Sequence, residues 1–383
     1  ELPRMLEKVR AFVSKEAVLV VAVLAAAVSC ALVPFDEGYA SYVDWRTLAL
    51  LFCLMAVVTG LRFMGVMRLL GSWAVSRASS MRTLAFALVA LTFVSSMVVT
   101  NDVALLEFVP LALVVLSEMG ECRHTASVVV LMTVAANLGS MLLPVGNPQN
   151  LFLYRASGMG FLQFMLTMAP IAGLSAAMLV AALLIVFQGN AEGHSDCASR
   201  KKPSKPTGRQ GFLFVSYLLL FALSIMAVVG LIDAFAVAAL VAFALLFFDR
   251  RTLAKVDYGL LLTFVALFVF VGNMARIPAV HEVLSALVGI APFYAAVGSS
   301  QVISNVPAAV LLSGFTNNWT ALIVGTNLGG LGTPIASMAS LISLKIATAS
   351  GLVGMRRYLA VFTVWNVAFL AVLCVANAVF GWA

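Results

Sequence analysis

Asn101, Asn137, Asn305 and Asn327 are the residues of this sequence best suited to chemistry, because each interrupts a long apolar run and they recur in matched pairs. Asn137-Leu138-Gly139 leads to Pro144 and Asn327-Leu328-Gly329 leads to Pro334, seven residues from Asn to Pro both times. Thr100-Asn101-Asp102 and Ser304-Asn305 form the second pair. A carboxamide caps helix ends and also offers an oxygen to a cation, so each Asn reads either as a plain cap or as part of a site. Asp102 adds a carboxylate, which in hydrocarbon is costly and serves as a cation ligand or proton carrier; its bland reading is a helix N-cap facing water. Glu107 is either a second acid or half of an ion pair.

Around these residues lie Gly139, Pro144, Gly146 and Pro148 in the first break, and Gly325, Gly329, Gly330, Gly332 and Pro334 in the second. An unpaired backbone group costs several kcal/mol in a bilayer, so such irregular stretches persist only where protein or a watery cavity satisfies them. Unwinding leaves carbonyls for a dehydrated Na+ and a helix N-terminus for an anion. The expected cation positions are Asn101 with Asn137 and Asn305 with Asn327, with Gly139 and Gly329 supplying backbone. Thr100, Ser304, Thr326, Thr333 and Ser337 bring hydroxyls, while Asn147, Gln149 and Asn150 bring amides in the first half only. Neither tip nor break carries Lys or Arg, so a bound anion falls to helix ends, amides, hydroxyls and bound cations.

The elements that must position these groups are membrane helices. The chain has 383 residues, 63% hydrophobic and 10% charged, with mean hydropathy +1.08. That is more apolar surface than a water-soluble core hides, and it marks a polytopic membrane protein. The net charge of +7 is spread over short loops and does not form a nucleic-acid patch. The five Cys are scattered without C-x-x-C spacing, and the three His lie far apart, so disulfide, zinc and nucleophile-base chemistry are not expected.

A spanning helix needs about 20 apolar residues. Candidate spans are 17–33, 46–63, 125–154 (broken), 161–187, 211–231, 234–248, 256–273, 318–349 (broken) and 357–381. The run at 17–33 resembles a signal peptide, but its counterpart in the second half makes it a retained span. Runs 83–118 and 291–316 have polar centres. The second has arms too short to cross and reads as a re-entrant hairpin; the longer arms of the first leave open whether it re-enters or crosses twice. Phe35-Asp36 before Val43-Asp44-Trp45 matches Phe248-Asp249 before Val256-Asp257-Tyr258, extending the repeat upstream. Four spans per copy, with the helix 211–231 between them, invert the second copy. With a cytoplasmic N-terminus and an external C-terminus, 20 of the 23 Lys and Arg fall inside, leaving Arg46, Arg155 and Arg276 outside. Residues 65–80 and 277–289 read as interfacial arm helices, and 189–210 as a flexible cytoplasmic linker.

These tips and breaks, together with Gly146-Asn147-Pro148-Gln149-Asn150 and Gly332-Thr333-Pro334-Ile335, resemble the signatures of the ion transporter superfamily. That group includes arsenite efflux pumps, D-type sodium/proton antiporters, citrate carriers and sodium-coupled divalent anion symporters. The likeness runs from about 17 to 382, and the Gly-Asn-Pro-Gln-Asn stretch looks most like the superfamily's uncharacterised anion permeases. The tips depart from the symporters, which carry Ser-Asn-Thr where this chain has Thr100-Asn101-Asp102 and Ser304-Asn305-Val306; the Asn-Asp pair is more like the pumps and antiporters.

The resemblance implies an all-α membrane protein of two inverted-topology repeats with re-entrant hairpins and two discontinuous helices, working as a homodimer of elevators. Scaffold 17–63 and 211–273 would hold a moving domain, 83–187 and 291–382, in an inner membrane. The expected substrate is a small anion coupled to Na+ or H+ with no further cofactor; the alternative is a cation/proton antiporter or metalloid efflux permease. Substrate contacts are expected from Thr100, Asn101, Asn137, Gly146, Asn147, Ser304, Asn305, Asn327, Thr333 and Pro334. Ion coupling is expected at Asp102 with the four Asn, Gly139 and Gly329.

Overall fold

The computed structural model describes residues 16–118, 123–188 and 208–383. Most of the expected linker, 189–210, lies outside these residues; its last three positions already belong to a helix. Among the described residues the fold is helical, without strands. The longer helices are α1 Ala17–Leu32, α2 Trp45–Phe63, α3 Val66–Ser76, α4 Met81–Val99, α5 Asn101–Glu118, α6 Thr125–Gly139, α7 Pro148–Ser157 and α8 Phe161–Val186. They continue with α9 Gly208–Val229, α10 Ala234–Phe248, α11 Tyr258–Arg276, α12 Pro278–Ile290, α13 Pro292–Ile303, α14 Asn305–Ser313, α15 Trp319–Leu328, α16 Met338–Ala349 and α17 Met355–Phe380. Single turns at Pro144–Gly146 and Pro334–Ala336 sit between α6 and α7 and between α15 and α16, so both broken spans break where the Gly and Pro residues fall.

Local sequence fixes where the helices start. Asp44 accepts from Thr47 N at 3.0 Å and Asp257 from Leu260 N at 3.0 Å, satisfying orphan donors of α2 and α11. The two caps share their backbone torsions, −77°, 83° and −77°, 80°. Ser80 and Thr83 form a reciprocal capping box that opens α4. Gly65, at φ 74°, takes the left-handed turn that redirects the chain from α2 into α3. In the second half the corresponding α12 meets α13 at a bend of 111°.

Burial sorts the helices. In α6 every residue except Ser127 is buried, and in α15 so is every residue from Ala321 to Leu328. Helices apolar all round and buried all round are central posts. The outer helices instead turn large apolar side chains outward, as with Leu162 on α8, Phe243 on α10 and Val379 on α17. Exposed apolar surface on this scale needs lipid around it. Trp45–Phe63, Met81–Val99, Phe161–Val186, Gly211–Val229, Tyr258–Arg276 and Met355–Phe380 are each long and apolar enough to cross a bilayer. The protein is therefore a multi-pass membrane protein. Helices α1 and α11 pack along each other, and α2 packs on α9 and α10; α4 to α8 and α13 to α17 form the other body of contacts.

Candidate functional site

The two posts bring their terminal asparagines to the middle of the second body, and each amide is gripped by the other half of the chain. Asn137 Oδ1 accepts from Ser337 Oγ at 3.0 Å, and its Nδ2 donates to Ser340 Oγ at 3.4 Å and to Gly330 O at 3.4 Å. Asn327 Oδ1 accepts from Asn147 Nδ2 at 3.2 Å, and its Nδ2 donates to Asn150 Oδ1 at 2.5 Å and to Ile323 O at 2.7 Å. Ser337 and Ser340 lie ten and thirteen residues past Asn327; Asn147 and Asn150 lie ten and thirteen past Asn137. Each asparagine is thus held by the two positions that match those holding the other. Six of these side chains, those of Asn137, Asn147, Asn150, Asn327, Ser337 and Ser340, are buried, so the hydrogen bonds form away from competing water.

The hairpin tips close on this clasp. Thr100 and Ser304 adopt φ 75°, ψ 150° and φ 73°, ψ 154°, a region that non-glycine residues occupy at a cost of about 1–3 kcal/mol each. Paying it twice with the same torsions lets α5 and α14 begin at Asn101 and Asn305 with their first N–H groups turned toward the tips. Asn101 Nδ2 donates to Asn137 Oδ1 at 3.1 Å, and Asn101 Oδ1 accepts from Asp102 N at 3.0 Å. The first tip therefore meets the first break directly, although α4 is long enough to cross by itself. Asn305 is buried beside Gly330, where a Cβ would lie 2.9 Å from its Nδ2. It makes no hydrogen bond to Asn327, so the second expected pair is drawn together less closely than the first.

Close packing explains the glycines. A Cβ at Gly139 would lie 2.1 Å from Phe93 O and 2.5 Å from Ser96 Oγ; one at Gly329 would lie 2.6 Å from Ser300 Oγ. Ser96 and Ser300 both precede their tips by four residues, so each first hairpin arm seats a serine on the break glycine. Gly146 is similarly pressed on Ser140 O, at 2.0 Å for a Cβ. The other expected substrate contacts bond to main-chain carbonyls or open a turn rather than joining the clasp. Thr333 is exposed and turns its hydroxyl to Gln301 O at 3.1 Å, Pro334 opens a short turn, and Ser304 Oγ donates to Ala336 O at 3.3 Å.

Asp102 sits one residue into α5, with a buried Oδ1 that has no hydrogen-bond partner among the described residues. Glu107 takes the paired alternative, accepting from Arg62 Nε at 2.7 Å. A cavity of about 130 Å³ opens beside the second tip, bounded by Ser304, Val306 and Pro307, by Lys345 on α16, and by Glu16, Asp257 and Thr263. A larger one, about 330 Å³, lies away from the four asparagines, between Tyr42, Asp44, Phe152, Val310 and Gly314. Among the described residues no group of three or more His, Cys, Asp and Glu side chains is arranged to hold a metal ion.

Sequence reasoning passed over Gln301, Ser140 and Ser340, and also Ser343, whose hydroxyl accepts from Thr133 Oγ1 at 2.7 Å and shares a hydrogen bond with Tyr358 Oη at 2.6 Å behind the clasp. Gln301 is a lone amide in a short apolar arm, and the serine match at 96 and 300 was visible in the spacing. Ser340 and Ser343 look like ordinary back-bonding helix serines, and only their neighbours give them a role.

The family model for citrate transporters, CitMHS, matches residues 6–318. The chain belongs to the citrate transporter family. An uncharacterized transporter of Methanocaldococcus jannaschii is 32% identical over 88% of this chain and 90% of its own length. The inner membrane protein YbiR of Escherichia coli is 33% identical over 82% of this chain and 83% of its own. A silicon efflux transporter of Oryza sativa subsp. japonica is 34% identical over 41% of this chain and 32% of its own length. The resemblance to the ion transporter superfamily thus holds, and the protein is a membrane transporter, not an enzyme.

Proposed function

We propose that this citrate transporter family member is a secondary active transporter of a small anion, a carboxylate or inorganic oxyanion, coupled to H+ or Na+ through Asp102. The observation that carries the proposal is the reciprocal clasp of Asn137 and Asn327. Two breaks that hold each other through matched positions, with a tip against each, are what two inverted repeats meeting at one site would produce. In this reading 17–63 and 211–273 form a scaffold, 65–80 and 277–289 are arms, and 83–187 with 291–382 move as an elevator. The N-terminus is cytoplasmic, the C-terminus external, and two copies pair in an inner membrane.

In this reading the conformation is the inward-facing one. Ser304 at the second tip shares its cavity with Asp257 and with Lys345, which on a cytoplasmic N-terminus lies on the inner side. Asp44, which matches Asp257, lines the other cavity with Val310 and Gly314, far along the hairpin arm from its tip. Sliding the tips toward Asp44 would expose the same site to the opposite side.

Uptake into proteoliposomes across a panel of anions, with Na+ and pH gradients imposed separately, tests the proposal. Asp102→Asn should abolish gradient-driven accumulation while leaving counterflow. Accumulation that ignores both gradients and survives this substitution would refute Asp102 as the coupling group.

A second reading is efflux of an uncharged metalloid acid, or cation exchange with the ion on Asp102. It is favoured by the free oxygen of Asp102. The silicon efflux relative points the same way. Everted vesicles that accumulate arsenous or silicic acid, and no anion, would decide for it.

A further inference from the structure

At each unwound segment one side-chain amide nitrogen stands among main-chain carbonyls, three of them from the segment in the first case and two from the segment plus one from the amide's own helix in the second. In the first, Asn150 Nδ2 faces Met141 O at 3.2 Å, Ser140 O at 3.4 Å and Leu143 O at 3.5 Å. In the second, Gln301 Nε2 faces Gly329 O and Leu331 O, both at 2.9 Å, and Val297 O at 3.2 Å. A carboxamide NH2 has two hydrogens, so three acceptors are more than it can serve with full hydrogen bonds. Several carbonyl oxygens converging on one point is the arrangement an unwound membrane helix offers a dehydrated cation.

Both amides are locked by their oxygens. Asn150 Oδ1 accepts from Asn327 Nδ2, and Gln301 Oε1 accepts from Thr333 N at 2.9 Å. Gly332, at φ 99°, makes room for the second lock, because a Cβ there would lie 2.3 Å from Gln301 Oε1. The two residues do not occupy matched positions. Asn150 belongs to α7, and its match, Ser340, serves Asn137 instead. Gln301 comes from the hairpin arm α13, and Met97 stands at its match in α4. Two unrelated positions deliver the same kind of donor to the free carbonyls of the two unwound segments, Ser140, Met141 and Leu143 in one and Gly329 and Leu331 in the other.

We propose that Asn150 and Gln301 are built-in substitutes for a cation at the two unwound segments, so that neither carbonyl cluster takes up Na+. The proposal rests on the transport reading and narrows it, because it removes the breaks as ion positions and leaves Asp102 to carry the coupling ion.

The test is the thermal stability of the purified, detergent-solubilised protein as NaCl replaces choline chloride at constant ionic strength, for the wild type, Gln301→Ala and Gln301→Glu. Alanine vacates the cluster, and glutamate puts an acceptor where the donor was. Both variants should melt lower in choline and recover several degrees in a saturable response to Na+ that exceeds any response of the wild type. An equal response in all three proteins would overturn the proposal, as would a wild-type response that Gln301→Ala removes. Should Gln301→Ala fail to fold, Gln301→Glu against the wild type decides by the same comparison. Because the readout is ion binding, a protein that moves no anion in liposomes would refute the transport reading without touching this result.

Discussion

Arg62, at the last turn of α2, donates through Nε to Glu107, two turns into α5, at 2.7 Å. The pair joins the body that holds α2 to the body that holds the first hairpin. An elevator movement would have to break it. With side chains 33% and 16% exposed, the pair lies between a surface bridge and a buried one, so losing one partner should cost about 1–2 kcal/mol. Bridging the positions with a short bifunctional thiol reagent in Arg62→Cys/Glu107→Cys, which spans the distance the two long side chains cover, should leave ligand binding intact and stop net transport. Full transport by the cross-linked protein would show that these bodies do not separate in the cycle.

Asn137→Ala should be more damaging than Asn305→Ala. The first removes an amide with partners in Asn101, Ser337, Ser340 and Gly330, leaving buried groups unpaired at roughly 1–3 kcal/mol each. The second removes an amide without a hydrogen bond among the described residues. Melting temperatures of the two variants, compared side by side, check the order.

Gly139→Ala should lose transport and roughly 1–3 kcal/mol of stability, since its methyl meets Phe93 O and Ser96 Oγ and must push the hairpin off the break. Gly173→Ala is the control, lying inside α8 with nothing within 4 Å of an added Cβ. It should fold and transport like the wild type. Uptake rates and melting curves of both separate a packing effect from a general intolerance of alanine.

The loop at Asp36 should show a pH signature. Arg276 donates to both carboxylate oxygens, Nη1 to Oδ1 at 3.1 Å and Nη2 to Oδ2 at 2.6 Å, and this holds the Asp36 carboxyl below the ordinary carboxylate range. A depressed folded-state pKa stabilises above the unfolded value of about 3.9 and loses that contribution as pH falls through the lower folded value. The stability difference between wild type and Asp36→Asn should therefore be constant near neutrality and vanish in acid. A difference that grows on acidification would contradict the pairing.

Much of this was legible in the chain. Gly and Pro cannot sustain a helix in hydrocarbon, so Gly139, Pro144, Gly329 and Pro334 located both breaks to within a residue or two, while Asp44 and Asp257 showed in the sequence only as matched positions and became helix caps in the structure. The spacing alone does not pair Glu107, because Arg62 lies 45 residues away and only packing brings the two together.

What the sequence determined by itself was what depends on local backbone chemistry: apolar length, helix interruption, capping, and the recurrence of all three at matched spacing. What the tertiary structure decided was which polar group answers which. Ser337 and Ser340 reach Asn137, Asn147 and Asn150 reach Asn327, and Gln301 reaches the carbonyls of the second break, over separations of 28 to 203 residues. A buried amide or hydroxyl must find a partner, but spacing along the chain does not say which one, because any of several buried donors can satisfy the same acceptor. That choice is made when the helices pack.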